Sequence, residues 1–178
     1  MAAVEKRKNP FLAILTNYLM FSVIGTFIVM PLSGKAKIIF GVAMCIFYYM
    51  TFYDYCLREA LYHKKPYTEM TSSYKYALKY ALISIFYVAV PVVLLLMFDN
   101  VATRLFYLVV DSLYTFTPLF TLGENICEFD LISFVIIAGV NFGFSFLGYY
   151  HGMKDTSLAK IINKFVYGEK PPVRKNKK

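Results

Sequence analysis

The chain has no tryptophan, two histidines and three cysteines, and only 17% of its 178 residues are charged. Each scarcity excludes something. Three scattered cysteines (Cys45, Cys56, Cys127) make no disulfide framework and no zinc site, and Cys45 and Cys56 read as small hydrophobes inside an apolar run. The histidines, His63 and His151, do not form a metal-spaced pair, and no G-x-S-x-G elbow, P-loop or C-x-x-C occurs. No enzyme chemistry, cofactor or metal is therefore expected. The low charge, set against 58% hydrophobic and 19% aromatic residues, is far from the soluble norm of roughly 25% charged. Disorder and coiled coil are excluded with it, and an integral membrane protein is what remains.

A helix needs roughly 20 apolar residues to cross the hydrocarbon core. Four runs qualify: Phe11–Pro31, Lys37–Tyr55, Tyr80–Phe98 and Leu131–Tyr150. The first follows Lys6-Arg7-Lys8 but is too long for a signal-peptide core and has no convincing cleavage site, so it reads as a retained helix. A fifth run, Leu105–Leu122, carries Asp111 and Pro118. It places Arg104, Tyr107, Asp111, Thr115 and Pro118 on one stripe and Phe106, Val109, Leu113, Phe116 and Phe120 on the other, an amphipathic pattern.

Charge decides the topology. With the N-terminus inside and four crossings, 16 lysines and arginines lie inside and 3 outside; a fifth crossing changes this to 8 against 11. The positive-inside rule selects the first. The fold expected is thus an all-α integral membrane protein: a four-transmembrane-helix bundle with an outer amphipathic or re-entrant helix at 105–122 and a C-terminal interfacial helix at 154–167. A basic N-terminus (1–10) precedes the single transmembrane domain (11–153), and a disordered basic tail (168–178) follows the interfacial helix. The cell membrane is the expected location, with both termini cytoplasmic. Tyr48, Tyr49, Tyr53, Tyr55, Tyr74, Tyr76, Tyr80, Tyr149 and Tyr150 then cluster near the inner ends of spans, where an aromatic belt is expected; a tyrosine-lined groove is the alternative.

The inner loop, Leu57–Lys79, is broken by Pro66 and carries Arg58, Lys64, Lys65, Lys75 and Lys79, which are expected to face anionic lipids or a partner protein. The formal charge of +8 does not point to nucleic acid, because the charges fall between apolar runs and form no soluble basic face. After the last span, Asp155-Thr-Ser157 is suited to cap a helix with Leu158, Ile161, Ile162, Phe165 and Val166 on its apolar face. Outside, Glu124, Glu128 and Asp130 are close enough in sequence to collect a cation, although solvated acids are the simpler reading.

Ionisable and polar residues at membrane depth are functional candidates by default. Asp111 either faces a wet cavity, pairs with Arg104, or points to water. Asp54 precedes Arg58 by four residues, which gives an ion pair at the inner boundary as the plain alternative to a functional role. Asn141 lies in the last span on a stripe with Ala138, Ser145, Gly148 and Gly152, and lines either a helix interface or a solute path. Tyr18, Ser22, Gly25 and Thr26 form a similar stripe on the first span, so these two helices are candidates for neighbours. Pro91 is expected to kink the third span unless a neighbour satisfies the freed carbonyl.

The function expected is that of a non-enzymatic subunit or accessory component of a membrane complex, meeting other membrane subunits or its own copies; an oligomeric transporter or channel is the alternative. Sparse intramembrane charge favours the former. A reporter fused after Lys178 should be active only in the cytoplasm; activity confined to the far side of the membrane overturns the four-crossing map.

Overall fold

The computed structural model describes residues 9–29, 31–32, 34–65, 73–98, 100–110 and 131–161. Among these the chain is all-helical: α1 (Pro10–Val29), α2 (Gly34–His63), α3 (Lys75–Met97), α4 (Val101–Val110) and α5 (Leu131–Met153). Four of them, α1, α2, α3 and α5, are long and apolar enough to cross a membrane. Asp111, Glu124, Glu128, Asp130, Cys127 and the second half of the 105–122 run lie outside the described residues, as does the chain beyond Ile161.

Local chemistry sets several helix ends. Asn9 opens α1, its Oδ1 accepting the Phe11 N–H at 3.1 Å, with Pro10 at the first helical position, where its missing N–H costs nothing. Asn100 opens α4 reciprocally: its Oδ1 accepts the Thr103 N–H at 2.9 Å, while Thr103 Oγ1 accepts the Asn100 N–H at 3.1 Å. Helix α5 closes in a Schellman motif, with Thr156 N–H on the His151 carbonyl, Asp155 N–H on that of Gly152, and Asp155 left-handed at φ 53°. Ser157 then caps a short helical turn that runs to Ile161, accepting the Lys160 N–H at 3.2 Å. Helix α3 continues through Pro91, which is buried.

Two spans are longer than hydropathy implies. Helix α2 runs eight residues past Tyr55, and α3 starts five before Tyr80. Periodicity continues after hydropathy fades: Leu57, Ala60 and His63 are buried while Arg58 is exposed, so tertiary packing carries the helix onward.

Helix α5 packs most extensively on α2 and also packs on α3. Helix α1 packs on α2, α3 and α4 and makes little contact with α5, so the two small-residue stripes do not meet. Asn17 bonded to Thr51 and the Tyr87 hydroxyl bonded to the Phe11 carbonyl tie α1 to the other side. At Gly148 an added Cβ would stand 2.5 Å from the Tyr53 carbonyl oxygen, and at Gly152 it would stand 2.5 Å from that of Leu57 and 2.6 Å from Ala60 Cβ. These helices touch backbone to backbone, which only the missing side chain permits. At Gly25 an added Cβ meets no described atom within 4 Å.

The exterior is apolar, with Phe27, Ile39, Phe47, Leu82 and Val135 all exposed, while the core holds Tyr18, Tyr48, Phe52, Tyr80 and Tyr149. The tyrosines expected to form a lipid-facing belt are thus largely internal: Tyr48, Tyr49, Tyr53, Tyr80 and Tyr149 are buried, and the hydroxyls of Tyr48, Tyr53, Tyr80 and Tyr149 find partners inside. Gly148→Ala and Gly152→Ala should each destabilise the fold by about 1–3 kcal/mol through overpacking. Gly143→Ala, where an added Cβ meets no described atom within 4 Å, should be neutral or slightly stabilising. Thermal unfolding in mild detergent measures the contrast.

Candidate functional site

Polar side chains converge in three tiers between α2, α3 and α5. The first tier centres on Asn141, which is completely buried. Ser84 donates to its Oδ1 at 2.6 Å, and its Nδ2 donates to the Ile137 carbonyl at 2.9 Å. Since Ser84 has a single proton, the Tyr48 hydroxyl, 2.8 Å away, is the donor to Ser84. One turn along α5, Ser145 donates to the Ala77 carbonyl at 2.7 Å, with Cys56 Sγ at 3.6 Å. Here the side chain of α5 satisfies backbone of α3, which fixes their relative height.

The third tier lies where α2 and α5 end and α3 begins, and it contains two like-built tyrosine–histidine pairs. Tyr53 accepts the Leu158 N–H at 3.0 Å, and its hydroxyl is hydrogen-bonded to His151 Nδ1 at 2.7 Å. Tyr149 accepts the Ser73 N–H at 3.3 Å, and its hydroxyl is hydrogen-bonded to His63 Nδ1 at 3.0 Å. His63 Nε2 faces Glu59, 4.0 Å away, and Glu59 also accepts the Tyr80 hydroxyl at 2.9 Å. Each pair fastens the segment that follows a helix: Ser73 leads into α3 and Leu158 begins the last described turn. Lys64 closes the same end through Asp155 and, at 3.1 Å, the Met153 carbonyl.

A separate polar set faces outward between α1 and α2. Asn17 donates to Thr51 Oγ1 at 3.0 Å, and Asp54 pairs with Arg58 at 2.7 Å. Together with Ala13, Ile14, Phe52 and Tyr55 they line a depression of about 270 Å³.

The residues singled out in sequence therefore separate. Asn141 and Ser145 join the inner network, Gly148 makes the close approach to α2, and Ala138 is half-buried beside them on α5. Ser22 and Gly25 are buried on α1, away from that network. Asp54 pairs with Arg58 on the outward face and is a member of neither histidine pair. The Tyr53–His151 and His63–Tyr149 contacts join residues 98 and 86 positions apart and had no local signal. The i,i+4 spacing of Glu59 and His63 was the one trace visible in sequence.

No family model, characterised protein or solved structure matches the chain. Among the described residues no group of three or more histidine, cysteine or acidic side chains is placed to hold a metal ion.

Asn141→Leu strips Ser84 of its buried acceptor and should destabilise by about 1–3 kcal/mol, and Tyr149→Phe should cost a similar amount. Arg58→Gln breaks an exposed pair and should change stability by less than about 1 kcal/mol. Denaturation in detergent, followed by circular dichroism, checks all three.

Proposed function

We propose that the chain is a non-enzymatic multi-pass protein of the cell membrane that acts as a small subunit or accessory component of a membrane complex, with both termini cytoplasmic. The apolar exterior, the four long apolar helices and the inward bias of basic residues support the membrane placement. The polar residues within the bundle are bonded to one another, as Asn141 is to Ser84 and Ile137, and this favours a packing role over a solute path through one copy.

The observation that carries the subunit reading is the outward-facing Asn17–Thr51 pair. Both residues lie well inside helices α1 and α2, on a surface otherwise suited to lipid. Amide and hydroxyl groups at such depth are stabilised by a neighbouring transmembrane helix, with about 1–2 kcal/mol per interhelical bond in model peptides. Asp54 and Arg58 continue the same face toward the inner boundary. The occupant is a helix of another membrane protein or of a second copy.

Purification in mild detergent tests this. The expected result is a complex of fixed stoichiometry, weakened about fivefold or more by Asn17→Leu combined with Thr51→Val. A monomer unaffected by these changes, or a homo-oligomer that conducts ions in liposomes, overturns the subunit reading.

A further inference from the structure

On the opposite side of α1, where it meets α3, a groove of about 440 Å³ is lined by Phe11, Leu78, Leu82, Ile83 and Phe86, with Lys75 and Lys79 at one end. We propose that this groove is a binding site for a single anionic phospholipid, its phosphate held by the two lysines and an acyl chain lying along the leucines and Phe86. The inference rests on the chain being embedded in a membrane and not on its being a subunit.

Charge and length carry the assignment. Lys75, Leu78, Lys79, Leu82 and Phe86 follow one another at helical spacing, so they share one face of α3. Both lysines are exposed, and among the described residues neither pairs with a carboxylate. No acid lines the groove. From Lys75 to Phe86 the helix rises about 16 Å, close to the depth of one leaflet, about 15 Å. Lys75 and Lys79 therefore stand at the headgroup end of the groove, with Phe86 at its other end beside Phe11, and a long lysine stem suits that boundary. A helix from another protein fits less well: close helix packing uses small residues, and this wall is leucine, isoleucine and phenylalanine with both charges at one end.

The absence of native tryptophan supplies the test. Phe86→Trp places a single fluorophore in the groove, and Phe27→Trp places a reference on an exposed part of α1 outside it. Each is reconstituted in phosphatidylcholine vesicles containing a minority of phosphatidylglycerol, with one or the other lipid brominated on its chains. At Phe86→Trp, quenching by the brominated anionic lipid should exceed its bulk fraction about fivefold. At Phe27→Trp it should follow the bulk composition. Lys75→Gln with Lys79→Gln should return Phe86→Trp to the bulk value, and added glycerol phosphate should not reduce the excess. Native mass spectrometry of the otherwise unaltered chain should retain phosphatidylglycerol over phosphatidylcholine and lose that preference with the same lysine changes.

Quenching at Phe86→Trp that follows bulk composition, or an excess that survives loss of both lysines, overturns the proposal. Competition by glycerol phosphate assigns the lysines to a soluble phosphate and overturns it too. If Phe27→Trp is quenched by neither lipid, membrane embedding itself fails, a result distinct from failure of the subunit reading.

Discussion

The backbone contact between α2 and α5 at Gly148 and Gly152 is the constraint on which the rest of the bundle depends. It sets the separation of the two helices, and that separation places Tyr53 on His151 and Tyr149 on His63. Dispersion contacts between closely packed backbones matter more in a hydrocarbon environment, where burying apolar side chains against each other gains little over lipid. A side chain at either position would push α5 away and lengthen every polar contact described above.

Given that spacing, polarity is distributed by depth. The mid-bundle network of Tyr48, Ser84 and Asn141 is small, and each of its three side chains is hydrogen-bonded within it. Such a network suits a low-dielectric interior, where an unmatched polar group is costly. The ionisable groups Glu59, His63 and His151 lie near the end of the bundle, in reach of the segments that follow the helices. There the tyrosines act as adapters: their rings fill the core while each hydroxyl joins a histidine to the backbone of the next segment. The result is a rigid three-helix unit of α2, α3 and α5, with α1 laid against it through Asn17 and Tyr87 and presenting two unlike outer faces. One combines amide, hydroxyl and an ion pair; the other combines a hydrocarbon wall with two lysines.

Much of the architecture was legible in sequence because hydropathy and helix caps are local. The four long apolar helices and the cap at Ser157 follow from adjacent residues. The Asp54–Arg58 ion pair has the same origin, since i,i+4 geometry is fixed by the helix itself. The extra turns of α2 and α3 were not legible, because their composition is polar and packing alone sustains them. Nor was the fate of the tyrosines. An interfacial tyrosine and a core tyrosine look alike in sequence, and only the placement of Ser84, His151, Glu59 and His63 distinguishes them.

The sequence by itself determined that the chain forms four long apolar helices and where the first and last of them begin. These properties depend on neighbours along the chain. Tertiary structure alone decided that α1 sits on α2 and α3 instead of α5, that the stripe of Asn141 and Ser145 faces inward, and that each histidine meets a tyrosine hydroxyl from a distant helix. Those outcomes depend on which helix faces come together, and side chains tens of residues apart meet only once the backbones have approached closely enough to bring them into bonding range.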